Sequence, residues 1–385
     1  MITTAITADL VHGIAELERT ARGVRPHRLP AAALARFTDP QLSMVEAQPS
    51  GARVTVATAA RTLELVLHPS RVGYLGAVRP RGQVDLVIDG ELLRSDPLGG
   101  GDLVEVDLRT GASAFHPGDA HVATFPDLPA GDKVVELWLP HNESVELVEL
   151  RSDEPVRPVV TTGRRLWVHH GSSISHGSNA ASPGRIWPAV AARRGGVDLR
   201  NLGLGGSALV DPFTARVIRD APADLISVKF GINVVNLDGM RLRTFVPAVH
   251  GFLDTIRDGH PRTPLMLISS IFCGIHEDTP GPGAIDPASL GTDQVRFTAT
   301  GRTGDRELGR LSLQVIREAL ASLAERRADD PNLHYLDGTL LYGEKDAAEH
   351  PLPDALHPDT ATHQLIGERF AEHAFGADGP FAQRQ

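Results

Sequence analysis

The distribution of apolar positions changes character partway along the chain. Over the first 150 residues, short stretches alternate apolar and polar side chains: Arg53–Thr58, Leu63–His68, Val84–Ile88, Leu103–Leu108, Lys133–Leu139 and Val145–Leu150. A period near two places one face of each stretch in a core and the other toward water, which predicts strands. Turn-forming runs separate them: Pro69-Ser70-Arg71, Asp89-Gly90, Gly99-Gly100-Gly101-Asp102 and Pro129-Ala130-Gly131-Asp132. Many short strands with regular turns predict an all-β sandwich, jelly-roll-like, over residues 1–160. One stretch departs from this texture. Leu10, Ile14 and Leu17 recur at helical spacing and predict a short amphipathic helix near the N-terminus.

The textures meet between Pro155 and Thr162, and from there strand-like apolar runs alternate with helical patterns. The expected strands are Leu166–His169, Val197–Asn201, Leu225–Phe230, Leu265–Ser270 and Leu333–Leu336. Helices are expected to start near Arg185, Pro212, Leu242, Asp305 and Asp359. Leu242, Phe245, Val246, Val249, Phe252, Leu253 and Ile256 form one apolar helical face, and Leu308, Val315, Ile316, Leu320 and Leu323 form another. Strand–helix alternation predicts an α/β domain over 161–385, with a five-stranded parallel sheet covered on both faces. Ligands in such sheets sit beyond the C-terminal strand ends, where the strand order reverses. The segment Phe272–Gly304 is rich in Gly, Pro, Thr and Asp and has little periodicity. It follows the fourth strand, so it is expected to overhang that end and shape a pocket there.

Composition narrows the class. With 41% hydrophobic and 22% charged residues the chain can fill sizeable cores, and a formal net charge of −10 disfavours nucleic acid and anionic membrane as partners. A single cysteine, Cys273, rules out an internal disulfide and a Cys-rich zinc site. The N-terminus has no basic start followed by an apolar core, and no apolar run is long enough to span a bilayer. The expectation is a cytoplasmic protein, although a chain lacking its leader would look the same.

Four fragments are candidates for chemistry, each following an expected parallel strand. The first is His169-His170-Gly171-Ser172-Ser173-Ile174-Ser175-His176-Gly177. A serine in such a turn stands at the mouth of the sheet, where its own amide can stabilise an oxyanion. The second, Asn201-Leu202-Gly203-Leu204-Gly205-Gly206-Ser207, presents bare backbone amides at the same edge. The third ends in Gly231-Ile232-Asn233, whose side-chain amide can donate to developing negative charge. The fourth, Asp354-Ala355-Leu356-His357, spaces a carboxylate so that it can hold an imidazole tautomer while the other ring nitrogen faces a serine. Each fragment alone has a plainer reading, because Ser, Gly and Asn are common in turns and at strand ends. Gly203, Gly205 and Ala208 also match G-x-G-x-x-A. That match follows the second strand, not the first, and no acid-ended strand lies about 20 residues further on, so no dinucleotide cofactor is expected. His169, His170 and His176 cluster around the serine but show no metal-ligand spacing, so no metal is expected.

Taken in order, the four fragments resemble the signature blocks of the SGNH (GDSL-like) hydrolase superfamily, from about Leu166 to Phe375. Trp187 resembles the aromatic residue that opens that family's first helix. The resemblance implies a flavodoxin-like three-layer α/β/α domain. It makes Ser173 the nucleophile, His357 the base and Asp354 its orienting partner. It also implies an oxyanion hole from the Ser173 and Gly206 amides and the Asn233 side chain. Two positions depart from the family pattern: Ser172 and Val234 stand where an Asp is usual, and neither belongs to the implied triad. The expected activity is hydrolysis of a carboxylic ester bearing a short acyl or O-acetyl group on a carbohydrate or small natural product. A β-rich domain before an SGNH domain is similar to certain two-domain carbohydrate deacetylases. Two other readings stay open. One is an acyl thioesterase or lysophospholipase, which needs a long apolar channel. The other is a carbohydrate-binding protein with a non-catalytic SGNH-like domain.

Overall fold

The computed structural model describes every residue except 38, 76–78, 108, 160–162, 290, 291, 293, 294, 384 and 385. Two compact units emerge. One comprises Met1–Arg164 with Ala181–Arg185 and Asp198–Asn201, and the other Arg165–Ala180, Ile186–Val197 and Leu202–Gln385. The domain boundary expected at 160/161 falls outside the described residues.

The first unit holds an eight-stranded and a six-stranded sheet. Alternation builds their common core. Leu63, Leu65 and Leu67 of one sheet and Val54, Val56, Val135 and Leu137 of the other are fully buried in a single cluster. The strand Leu63–Tyr74 is longer than its alternation suggests. Its first half pairs antiparallel with Ser144–Ser152 and its second half parallel with Asp102–Val106. The last of these covers the strand expected to reach Leu108, a residue outside the described set. The expected N-terminal helix is absent. Leu10 closes a single 3-10 turn, and Glu16–Arg19 is a strand paired with Val24–His27. Three apolar residues at helical spacing are too few to outweigh sheet pairing of the same backbone groups.

The parallel sheet has the strands Leu166–Gly171, Asp198–Gly203, Leu225–Lys229, Leu265–Ile268 and Leu333–Leu336. Their spatial order is second, first, third, fourth, fifth. The chain therefore reverses direction across the sheet beside the first strand, which places the crevice for a ligand at the carboxyl ends of the first and third. The helix Leu242–Gly259 buries Phe245, Val249, Phe252, Leu253 and Ile256, five of the seven residues of its expected apolar face. The helix expected from Asp305 begins later, at Leu313, where the Ser312 hydroxyl accepts from the Val315 N–H. Leu308 lies before it in a 3-10 segment and is 74% exposed, so it is not part of that helix's buried face. The aperiodic segment after the fourth strand contains a hairpin, Gly283–Ile285 paired with Phe297–Ala299. No helix among the described residues is long and apolar enough to cross a membrane.

Candidate active site

The first parallel strand ends at Gly171, and Ser172 caps the single helical turn Ser173–His176, its hydroxyl accepting from the Ile174 N–H. The residue that departs from the family's Asp thus does local work in the turn. Ser173 opens the helix, and first-turn amides have no acceptor within a helix. Gly203, at the end of the second strand, lets that strand pass against the turn. A Cβ there would lie 2.4 Å from the His176 nitrogen and 2.5 Å from the Ser175 carbonyl carbon. This close approach accounts for the glycine that opens the G-x-G-x-x-A match.

The third strand turns at Gly231, whose φ of 138° suits glycine alone, into the short helix Ile232–Asn236. Asn233 is buried there, and its Oδ1 accepts the Ala208 N–H at 3.2 Å. Only the oxygen can accept, so the amide orientation is determined and Nδ2 remains the donor. Among the described residues, nothing accepts from the Ser173 N–H, the Gly206 N–H or Asn233 Nδ2.

The loop before the last helix brings the acid and the imidazole to the serine. His357 Nε2 lies 2.9 Å from Ser173 Oγ, and His357 Nδ1 lies 2.8 Å from Asp354 Oδ2. Asp354 Oδ1 accepts from the Leu356 and His357 amides at 2.9 and 2.6 Å. Burial pushes the Asp354 carboxyl upward. The hydrogen bond and charge of His357 and the two backbone donors outweigh that and hold it below the usual carboxylate value. With Nδ1–H donated to Asp354, the neutral ring presents Nε2 to the serine hydroxyl as an acceptor.

Four contacts around this turn carry no signal in the sequence pattern. Asn179 Nδ2 donates to Asp354 Oδ2 at 3.1 Å. The Phe297 N–H donates to the Asp354 carbonyl at 2.8 Å, and the Phe297 ring meets the His357 ring edgewise at 5.6 Å and 79°. Cys273 Sγ donates to the carbonyl of Ala355, a residue held in the left-handed region at φ 67°. Cys273 and Phe297 both lie in the aperiodic segment, which therefore reaches the Asp354–His357 turn.

The neighbouring histidines are tied individually. His169 lies between the hydroxyls of Ser227 (2.7 Å) and Ser175 (2.8 Å), and its ring packs on Trp187 at 4.7 Å. Burial first, and then the charges of His170 and Lys229, press its pKa well below the ordinary value. His170 Nδ1 meets the Leu202 carbonyl and His176 Nδ1 that of Gly203. Among the described residues no group of three His, Cys, Asp or Glu side chains could hold a metal ion. Trp187 opens the helix Trp187–Gly195, fully buried.

Comparison with known proteins places the chain. The model of the GDSL-like Lipase/Acylhydrolase family matches residues 170–365, half of the chain. Among solved structures, the salicylyl-acyltransferase SsfX3 from a tetracycline biosynthetic pathway is similar at 28% identity and a TM-score of 0.76, with 96% of this chain and 95% of that chain covered. A Bacteroides ovatus protein described as a GDSL-like lipase is similar at 20% identity and a TM-score of 0.65, with 94% and 93% covered. A family two carbohydrate esterase from Clostridium thermocellum, solved in complex with cellohexaose, is similar at 14% identity and a TM-score of 0.54, with 90% and 96% covered. The last two identities speak for the fold alone. No curated protein matches. The chain belongs to the GDSL-like lipase/acylhydrolase family, a serine hydrolase of the SGNH superfamily whose chemistry is ester hydrolysis or acyl transfer.

Proposed function

We propose that the chain cleaves a carboxylic ester through an acyl-enzyme on Ser173. In this reading residues 161–385 are the catalytic domain and residues 1–160 a separate β-sandwich domain. Ser173 Oγ attacks the acyl carbon while His357 Nε2 takes its proton. Asp354 holds the tautomer and stabilises the imidazolium that forms. The Ser173 and Gly206 amides and Asn233 Nδ2 receive the negative charge on the carbonyl oxygen. His357 returns the proton to the departing alkoxide. The second half repeats these steps with water as nucleophile and frees the acid. The observation that carries the reading is the relay of Asp354, His357 and Ser173, with successive contacts of 2.8 and 2.9 Å.

The acyl group is proposed to be short, and an O-acetyl on a sugar or small natural product is the substrate class to test first. Sugar esters are supported only by the fold shared with a carbohydrate esterase. A second reading has its own observation. The 28% identity to a salicylyl-acyltransferase runs over nearly the whole of both chains, and an alcohol can replace water at the acyl-enzyme without any change in catalytic residues.

One experiment separates these. Turnover of p-nitrophenyl acetate and decanoate is measured with wild type, Ser173→Ala and Asn233→Ala, with and without an added alcohol. Hydrolysis of the acetate with a loss of about 100- to 1000-fold in Asn233→Ala supports the esterase. Ester formation with the alcohol at the expense of free acetate supports transfer. Preference for the decanoate points to a lipid or thioester substrate. Turnover that survives in Ser173→Ala refutes the assignment of the nucleophile.

A further inference from the structure

The direction of proton transfer divides the site. His357 must hand its proton to the leaving alkoxide, so the alcohol portion of the ester lies on the His357 side of the reacting carbon. The carbonyl oxygen points the other way, toward Gly206 and Asn233. Side chains flanking the imidazole therefore face the alcohol. The described aromatic ring packed on His357 is Phe297, 5.6 Å between centroids, and this residue is only half-buried. Its cross-strand partner is Ile285, in direct register on the Gly283–Ile285 strand of the same hairpin. Directly opposed residues project from the same face of a two-stranded ribbon. Ile285 is 37% exposed, so the pair offers an uncovered apolar surface beside the base.

The hairpin is held in place. The Phe297 N–H binds the Asp354 carbonyl at 2.8 Å, Asp286 N–H binds the Arg296 carbonyl at 2.8 Å, and Thr300 N–H binds the Pro282 carbonyl at 2.9 Å. The first of these ties the ribbon to the turn that carries Asp354 and His357, and the other two close the hairpin itself, so the ring keeps its distance from the imidazole.

We infer that Phe297 and Ile285 form the alcohol subsite and that it selects alcohols presenting a flat apolar ring face over small acyclic ones. This rests on the triad reading, because only proton return by His357 makes its neighbours alcohol contacts. The same pocket wall serves hydrolysis, where it receives the leaving group, and transfer, where it receives the acceptor.

The test uses the full chain with methyl acetate, benzyl acetate and methyl benzoate. The first two differ in the alcohol alone, and the first and third in the acyl group alone. In Phe297→Ala the ratio of kcat/KM for benzyl over methyl acetate falls about tenfold or more, mainly through KM, as expected for loss of one apolar contact. The benzoate-to-acetate ratio moves less than about twofold, since the acyl side is remote from the ring. Ile285→Thr shifts the alcohol ratio in the same direction by about threefold, and Phe297→Tyr retains it. Should Phe297→Ala fail to fold, Phe297→Leu and Ile285→Thr carry the measurement. Equal loss on both acetates means that Phe297 merely steadies His357, and overturns the inference. A change confined to the acyl ratio, or a wild type that prefers methyl over benzyl acetate, overturns it as well. A wild type without Ser173-dependent turnover of any ester removes the triad reading itself, and this inference with it.

Discussion

One turn of helix carries two serine–histidine pairs, and they differ in everything except the bond that joins them. Ser173 Oγ lies 2.9 Å from His357 Nε2, and Ser175 Oγ lies 2.8 Å from His169 Nε2. Two residues apart on a helix, the serines point about 200° from one another. Beyond the first imidazole stands the Asp354 carboxylate at 2.8 Å, and beyond the second the Ser227 hydroxyl at 2.7 Å. The His357 side chain is 12% exposed, whereas His169 is fully buried with its pKa pressed well down by burial. A proton taken by His357 is met by a negative charge. A proton taken by His169 would be met by a neutral hydroxyl, in surroundings that disfavour charge. On the proposed reading, the group on the far side of the ring and access to solvent, rather than the serine–histidine contact alone, set which pair does chemistry.

Mutating the two pairs in parallel breaks or sharpens that distinction, and the largest effect belongs to the open pair. Ser173→Ala is expected to lower kcat by roughly 10⁴- to 10⁶-fold, and Asp354→Asn by roughly 10⁴-fold through the wrong tautomer. Ser175→Ala and Ser227→Ala should each cost less than about tenfold in kcat. They should instead lower folding stability by about 1–3 kcal/mol, because each strips a partner from a buried ring nitrogen. Ester turnover and urea unfolding on the same preparations give both numbers. The contrast fails if Ser175→Ala is as inactive as Ser173→Ala while remaining folded.

The sequence offers the open pair as a candidate because its members follow strands in chain order. Ser173 and Asn233 come within a few residues of Leu166–Gly171 and Leu225–Lys229, whereas the Asp354–His357 turn follows the half-buried strand Leu333–Leu336 only after Gly338–Leu340 and Glu344–Glu349. Parallel topology then delivers all the strand ends to one edge. The supports of the site were not legible. Asn179 reaches Asp354 across 175 residues. Phe297 and Cys273 meet the same turn from a segment with no apolar period. Such contacts depend on loop paths, which composition does not encode, and on the left-handed backbone of Asn179 (φ 66°) and Ala355 (φ 67°). The N-terminal strands around Leu17 were missed for the opposite reason, because a local helical spacing was overruled by a distant pairing partner.

Buried histidines also set a pH dependence of stability. His363 accepts the Trp187 N–H on Nδ1 and donates from Nε2 to the Ser178 carbonyl, so both bonds require the neutral ring. Burial lowers its pKa to about 4, and the bond to Ser178 opposes it. The unfolded chain takes up this proton near pH 6.5 while the folded one does not. Stability is therefore complete above that value and declines as pH falls from about 6.5 toward 4, by at most about 1.4 kcal/mol per unit. His169 acts in the same direction. Replacing His363 by Asn, whose amide can supply both bonds, should reduce the stability lost between pH 7 and pH 5 by about 2 kcal/mol in urea titrations. An unchanged loss in that variant means that other groups carry the acid sensitivity.

The smallest expected effect concerns how the open pair is held. Burial fixes Ser227 behind His169, but Asp354 stands nearer solvent and relies on hydrogen bonds, one of them from the exposed Asn179. That bond goes to the same oxygen that receives His357 Nδ1–H. Asn179→Gly retains the left-handed backbone and removes the donor alone. It should lower kcat by about three- to tenfold with KM little changed, the range for one partly solvated bond to a carboxylate. Asn179→Ala adds backbone strain and should lose more, together with some stability. Asn179→Asp keeps the preference for positive φ but opposes one carboxylate with another. It should fall below the glycine variant at pH 8 and recover toward it as pH drops and the new carboxyl takes up a proton. An Asn179→Asp enzyme as active as wild type at pH 8 means that Asp354 needs no help from this side chain. The difference between the two pairs would then lie in the carboxylate alone.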